Sequence, residues 1–206
     1  MSNTSVRIIH SQSEVPVTDG ANAEPLLITS TTSQYQKLWN DDATSAFTSV
    51  TIYRPMPAND FFIIGDYAQG DDSPPQGVSQ TVKAVNDDPN NALLQAPASY
   101  RLLWTDGSAV PGSIWYAVPP DGYISIGCIC DPNNPDQPSV PSYRCLRRDL
   151  VDVSQAGAVI WNSDGTGTVL EIALWQNAGV VNSFMAQGNF KNSFSGTPYK
   201  IKTTNG

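Results

Sequence analysis

The chain has 206 residues, of which only 15% are charged, and its 16 prolines and 15 glycines disfavour long helices. Its formal net charge of −8 argues against a nucleic-acid partner and against anionic membranes, because both are bound largely through clustered Lys and Arg. This length suits one hydrophobic core. We therefore expect a single all-β domain.

The first 30 residues are predicted to form an N-terminal arm with one edge strand near residues 6–9. This start lacks the basic and apolar regions of a signal peptide, and the sequence has no apolar run of the roughly 18 residues that a transmembrane helix needs. We expect a cytoplasmic or non-classically secreted protein without a transmembrane segment. Residues 31–206 are expected to form the domain itself.

Three tryptophans mark an internal repeat. Trp39, Trp104 and Trp161 each end a predicted strand and lead into a turn rich in Asp, Asn and Gly. Three more strands follow in each copy, at residues 51–57, 61–70 and 81–85, then 113–120, 123–130 and 143–147, then 171–175, 180–188 and 199–202. The copies span about residues 35–86, 100–152 and 158–203.

Three four-stranded units predict pseudo-threefold symmetry, for which a β-prism is favoured and a β-trefoil is the alternative. Five tryptophans recur at related points of the copies, and their large rings are expected to fill the interior. These are Trp39, Trp104, Trp115, Trp161 and Trp175.

Three segments carry a resemblance to a known family. They are Tyr53-Arg54-Pro55-Met56-Pro57 with the following residues 64–70, then residues 115–127, then the closing strand at residues 143–150. Together they resemble the vacuolar protein sorting-associated protein 62 family. The family name implies protein delivery to the vacuole. More distantly, the three-copy layout is similar to vitelline membrane outer layer protein and the prism lectins, which implies carbohydrate or protein binding.

The candidate ligand-binding residues place carboxylates, amides and phenols on the loops. They are Asp66, Tyr67, Gln69, Asp71, Asp106, Asp121, Tyr123, Asp164, Gln187 and Asn189. Such groups bind sugar hydroxyls, but Asp and Asn are equally typical of plain turns. Carboxylate oxygens at Asp41 and Asp42 suit calcium as a second interpretation. No cofactor is expected.

A binding module fits this sequence better than an enzyme. The single histidine, His10, lies outside the repeats, which argues against a Ser-His-Asp or Cys-His arrangement. We expect a lectin-like or adaptor-like protein that binds a glycan or a protein, with its oligomeric state left open. The alternatives are a membrane-targeting, toxin-like protein and a glycoside-processing enzyme that uses the acidic loop at residues 66–72.

The three cysteines, Cys128, Cys130 and Cys145, form an odd set, and one histidine is too few to complete a structural zinc site. Reduced, partly buried thiols are one interpretation. The other is a disulfide that joins Cys145 to Cys128 or Cys130, with Cys128 favoured, across a hairpin centred near Asp136.

Overall fold

The computed structural model describes residues 6–10, 24–107, 112–132, 137–190 and 193–203. The strands, in chain order, are β1 (Arg7–His10), β2 (Leu26–Thr32), β3 (Tyr35–Asn40), β4 (Thr51–Pro55), β5 (Phe62–Ile63), β6 (Tyr67–Gln69), β7 (Ser79–Val85), β8 (Leu94–Gln95), β9 (Ser99–Thr105), β10 (Ser113–Val118), β11 (Tyr123–Ile124), β12 (Ile129–Asp131), β13 (Cys145–Arg147), β14 (Val151–Val153), β15 (Ala156–Asn162), β16 (Ala173–Asn177), β17 (Phe184–Gln187) and β18 (Tyr199–Ile201). One 3-10 turn, Arg148–Leu150, interrupts them. The predicted all-β class is confirmed.

Nothing in the described part of the chain forms a helix long and apolar enough to span a bilayer.

Each copy contains a three-stranded antiparallel meander that begins with its tryptophan strand. The meanders are β3-β4-β6 in copy one, β9-β10-β12 in copy two and β15-β16-β17 in copy three. The first two strands of each meander pair with a register shift, a bulge that increases local twist. In every copy the tryptophan pairs with an aliphatic residue of the middle strand: Trp39 with Ile52, Trp104 with Ile114 and Trp161 with Leu174.

A second sheet completes each copy, with four strands in copy one, three in copy two and two in copy three. In each of these sheets a strand that precedes the tryptophan strand pairs with the last strand of the copy: β2 with β7, β8 with β13 and β14 with β18. β1 lies parallel to β2 at the sheet edge. The sequence did not predict β2, β8 or β14, and it assigned residues 26–30 to the arm. β8 and β14 are too short to show an alternating pattern. Residues 1–5 and 11–23 of the predicted arm lie outside the described residues.

The third predicted strand of copies one and two is broken at a glycine. Residues 61–70 divide into β5 and β6 around Gly65, and residues 123–130 divide into β11 and β12 around Gly127. The chain crosses from the second sheet into the meander at these points. A Cβ atom on Gly127 would lie 2.9 Å from the Cα of Gly65 and 3.0 Å from the carbonyl oxygen of Ile64, so a side chain has no room there.

The three copies meet on a common axis, and a residue one or two positions before the last meander strand reaches it in each copy. These residues are Gly65, Gly127 and Ser183, whose Oγ lies beside both glycines. Backbone bonds join the copies at the next residue: Asp66 N donates to Cys128 O at 3.0 Å, and Cys128 N donates to Phe184 O at 2.9 Å.

The three repeat tryptophans, one from each copy, form a closed triangle. The ring centroids of Trp39, Trp104 and Trp161 are 5.6, 5.6 and 6.0 Å apart, and each pair packs edge to face. All three are at most 3% exposed. Aromatic rings in this geometry attract one another beyond their simple burial. The expectation that these rings fill the interior is confirmed for them and for the buried Trp115, whereas Trp175 is only half-buried.

We predict that Gly127→Ala lowers the free energy of unfolding by about 1–3 kcal/mol, the usual cost of overpacking, because the new methyl group meets backbone atoms of copy one. Equilibrium denaturation by guanidinium measures this change.

Ser183→Ala is the matched control at the same axis. The Ser183 hydroxyl is buried and has no hydrogen-bond partner in the described structure, so its removal should leave stability unchanged or raise it. Equal losses from both substitutions would contradict the axial packing described above.

Candidate functional site

The Asp-rich turns after the tryptophans hold their own loops closed. Asp41 lies two residues after Trp39 and is buried, and its Oδ1 accepts a hydrogen bond from Val50 N at 2.9 Å. Ser163 occupies the same position in copy three, and its Oγ accepts one from Ile172 N at 2.9 Å. These side chains therefore fix the start of the middle strand.

Two of the three repeat indoles then connect their copy to a loop of another copy, whereas the buried Nε1 of Trp39 has no hydrogen-bond partner in the described structure. Trp161 Nε1 in copy three donates to Asp41 Oδ2 in copy one at 2.9 Å. Trp104 Nε1 in copy two donates to Thr168 Oγ1 in copy three at 3.0 Å. Burial raises the pKa of Asp41, while its bonds from Val50 and Trp161 act in the opposite direction. Asp41 is thus a structural acceptor between copies.

A third carboxylate, that of Asp72, lies beside the predicted calcium ligands Asp41 and Asp42. Single carboxylate oxygens of Asp41, Asp42 and Asp72 lie within 4.8 Å of one another. All three are engaged within the protein, since Asn40 Nδ2 donates to Asp42 and Thr51 Oγ1 donates to Asp72 at 3.1 Å. Calcium binding at Asp41 and Asp42 stays a prediction.

The Ala-Gln-Gly tripeptides of copies one and three organise the loops that follow them. Gln69 Nε2 donates to Asp71 Oδ1 at 2.5 Å and to Ser73 O at 2.9 Å. Gln187 Nε2 makes the equivalent bond to Asn189 Oδ1 at 3.4 Å. Hydrogen bonds from Ser73 and Gln69 lower the pKa of Asp71. These predicted ligand residues therefore use polar atoms to shape their own loops.

Asp66 requires a correction, because it does not lie at the surface. It is fully buried, and Arg54 donates to its carboxylate from Nε at 3.0 Å and from Nη2 at 2.9 Å. Cys130 N donates to the same carboxylate at 2.8 Å, and Arg54 Nη2 donates to Cys130 O at 2.8 Å. Burial raises the pKa of Asp66, and Arg54 opposes this. Asp66 directly follows the axial Gly65, so its side chain lies in the interior. There it joins copies one and two.

Four other predicted residues lie apart from these. Asp121 is exposed in a turn before β11, and Tyr123 donates its hydroxyl hydrogen to Ala92 O at 2.6 Å. Asp106 is buried in the loop after Trp104, whereas Asp164 is exposed in the loop of copy three. The ten predicted residues are therefore not brought together at one place.

Two of the ten, Tyr67 and Gln69, line a cleft of about 580 Å³, which we call the seam cleft. It lies where copy three meets copy one. Its lining consists of Tyr67, Ala68, Gln69, Gly70, Val159, Ile160 and residues 176–183. β6 thus forms one wall, and β15 with the end of β16 and the turn after it forms the other.

The seam cleft is open because the repeat changes at one position. Arg54, Tyr116 and Gln176 each follow the aromatic residue of the middle strand in their copy. Arg54 spans the contact with copy two by reaching Cys130 O, and Tyr116 packs against the tryptophan-centred core with the Arg101 guanidinium over its ring. Gln176 is shorter than Arg54 and Tyr116, carries no charge and is exposed to solvent. The contact between copies three and one is therefore left unfilled, and the cleft remains there.

The cleft is polar and uncharged. None of its lining residues, all of which belong to the described part of the chain, is an acid, a lysine or an arginine. Gln176 offers an exposed amide, and Val159 and Val181 are 44% and 59% exposed. Asn182 has a φ of 48° and donates from Nδ2 to Gln76 O at 2.7 Å, which holds the turn against copy one.

Three tyrosines support the wall of the cleft. The rings of Tyr35, Tyr53 and Tyr67 lie 5.6 to 6.2 Å apart, and Tyr67 OH donates to Gln69 Oε1 at 2.8 Å. Burial raises the pKa of Tyr67. These contacts fix the ring of Tyr67 at the cleft, so this wall is preorganised.

The sequence did not predict Val159, Gln176 or Asn182 as site residues. One signal was available. An alignment of the three copies places Gln176 against Arg54 and Tyr116, and a short neutral residue there indicates an unfilled contact.

The disulfide between Cys128 and Cys145 is not formed. All three cysteines are free and buried, and Cys128 and Cys145 belong to different core clusters. The predicted hairpin does not exist, since β12 pairs with β10 whereas β13 pairs with β8 and β11. Asp136, its predicted centre, lies outside the described residues.

Comparisons with known proteins agree with this architecture. A family model described as vacuolar protein sorting-associated protein 62 matches residues 24–205. A comparison with curated proteins found no match. Among solved structures, the chain is similar to GNIP1Aa from Chromobacterium piscinae, with 24% identity and a TM-score of 0.73 over 86% of this chain and 37% of that one. At this identity the likeness concerns the fold alone, and it confirms the β-prism-like architecture.

We predict that Arg54→Gln, which introduces the residue found at this position in copy three, destabilises the protein by about 3–5 kcal/mol, because it leaves Asp66 buried without its counter-ion. Without Arg54, burial holds the folded-state pKa of Asp66 above its unfolded value, opposed only by the hydrogen bond from Cys130 N. The deficit should therefore shrink as acid protonates Asp66. Denaturation at about pH 7 and about pH 4 tests both statements, and a pH-independent deficit would contradict them.

The thiols should be inert in the folded protein. Burial raises the pKa of Cys128 and of Cys145 to about 12 and raises that of Cys130 as well. We expect no reaction with Ellman's reagent at about pH 8 in the native state, where thiolates would be needed, and reaction of all three cysteines in guanidinium. Fewer than three reactive thiols after unfolding would indicate a disulfide.

Proposed function

We propose, since this chain belongs to the vacuolar protein sorting-associated protein 62 family, that it is a non-enzymatic binding module whose seam cleft holds a neutral glycan. The observation that carries this proposal is the broken repeat at Gln176, which leaves one of three equivalent contacts open. A symmetric scaffold that filled all three contacts would have no such cleft.

The chemistry of the cleft supports a sugar ligand. A pyranose has hydroxyls that exchange hydrogen bonds with amides, and C–H faces that pack on apolar side chains. The exposed amide of Gln176 and the exposed side chains of Val159 and Val181 offer both kinds of contact. The absence of charge from the described lining favours a neutral sugar over a phosphorylated or acidic one.

The titratable groups support binding over catalysis. A glycosidase needs one carboxylic acid with a raised pKa beside a second carboxylate. Burial raises the pKa of Asp66, but this carboxylate is fully buried and paired with Arg54, and the pKa of the exposed Asp71 is lowered by its hydrogen bonds. The buried thiols have raised pKa values, which disfavours a cysteine nucleophile.

The family name refers to protein sorting to the vacuole. A glycan-binding cleft would allow such a module to recognise the sugars of glycoprotein cargo, and we include this role in the proposal.

Gln176→Arg is expected to abolish glycan binding, because an arginine here would fill the cleft as Arg54 fills its own contact. A neutral glycan array should first identify a ligand for the full chain, and titration calorimetry should then compare the variants. Binding should be insensitive to salt, because the ligand carries no charge.

Gln137→Arg is the matched control, since Gln137 is exposed and does not line the cleft. It adds the same charge and should bind as the wild type does. An array without any bound glycan, or a Gln176→Arg variant with unchanged affinity, would refute the proposal.

A further inference from the structure

Large apolar side chains project from one end of the protein. Two of the loops that follow the repeat tryptophans, residues 41–50 and 163–172, carry them, and we call these the tip loops. Phe47 is 79% exposed, Val169 is 98% exposed and Leu170 is 44% exposed. Folded proteins seldom group large apolar side chains in solvent without an interaction that uses them.

The tip loops are joined and internally bonded. Phe47 N donates to Asp164 O at 3.2 Å, and a Cβ atom on Gly165 would lie 3.1 Å from the Phe47 ring. Thr166 Oγ1 donates to Ser163 O at 2.8 Å. The apolar side chains are therefore presented by shaped loops, which lowers the entropic cost of binding a partner.

A cavity of about 440 Å³ lies between the tip loops and the loop of copy two. Residues 43–45, 105–107 and 166–170 line it. Its lining is joined to the tryptophan triangle, because Thr168 accepts the hydrogen bond of the Trp104 indole. A depression of this size beside projecting side chains can receive a side chain from the partner.

The charge at this end has one sign. Asp42 and Asp164 are exposed on the tip loops. Within the described stretches 40–50, 105–107 and 162–172 there is no lysine or arginine, although the chain contains 11 of them. A partner that covers this surface must tolerate or neutralise these carboxylates.

We propose that the tip loops dock a basic segment of another protein, in which lysine or arginine is interleaved with large apolar residues. The apolar residues of the segment cover Phe47 and Val169 and enter the cavity, and its cations pair with Asp42 and Asp164. A bilayer fits less well, because anionic lipids are repelled by the carboxylates and no lipid surface offers a side chain to the cavity. This inference goes beyond glycan binding and uses a different part of the molecule.

Panning a display library of random short peptides against the full chain tests the proposal. Enriched peptides should combine Lys or Arg with Leu, Ile, Phe or Trp, and their affinity should fall with added salt. The double variant Phe47→Ser/Val169→Ser should bind them at least about tenfold more weakly, as expected for the loss of central apolar contacts. Asp42→Asn/Asp164→Asn should weaken binding and reduce its salt dependence.

Val153→Ser is the matched control, because Val153 is 61% exposed on β14, outside the tip loops. It should bind the peptides as the wild type does, and so should Gln176→Arg, so failure of the glycan proposal leaves this test unaffected. Thermal unfolding confirms that each variant is folded.

Three results would overturn the proposal. One is a library that enriches no peptides or only peptides without cations. Another is undiminished peptide binding by Phe47→Ser/Val169→Ser. The third is co-sedimentation of the wild type, but not of that variant, with phosphatidylcholine or phosphatidylserine vesicles, which would identify the tip loops as a membrane contact.

Discussion

The convergence of three copies on one axis is the constraint on which the rest of the structure depends. Trp39, Trp104 and Trp161 can pack edge to face only if each copy delivers its ring at the same height. Where the copies also meet, the backbones of Gly65 and Gly127 approach each other too closely for side chains. The bulges, the loop-closing residues after each tryptophan and the division of each copy into two sheets all serve this arrangement.

Symmetry also determines where a binding site can form. Residues that recur in the copies, such as Asp41 and Gln69, have their polar atoms engaged in hydrogen bonds that hold loops and neighbouring copies. Positions that differ between copies are free to differ in function. The contact between copies one and two is closed by Arg54 and Asp66, whereas Gln176 leaves its equivalent open. The proposed glycan site therefore arises from a departure from the repeat.

Much of the scaffold could be predicted because its signals are local. Proline and glycine content excluded long helices, and strand alternation with recurring tryptophans located most meander strands. The errors arose where pairing is long-range. β8 and β14 are visible only through their partners β13 and β18. The predicted Cys128–Cys145 disulfide was wrong because the two segments that carry these cysteines do not pair as a hairpin. β12 and β13 belong to different sheets.

By itself the sequence determined the all-β class, the threefold repeat and the burial of four of the five tryptophans, since composition and periodicity reflect local propensity and burial directly. Only the tertiary structure decided that Asp66 is an internal counter-ion, that Gln176 borders a cleft and that Phe47 and Val169 share one end. These properties depend on which residues of different copies come together across the axis. That proximity follows from packing between distant segments, which no local pattern records.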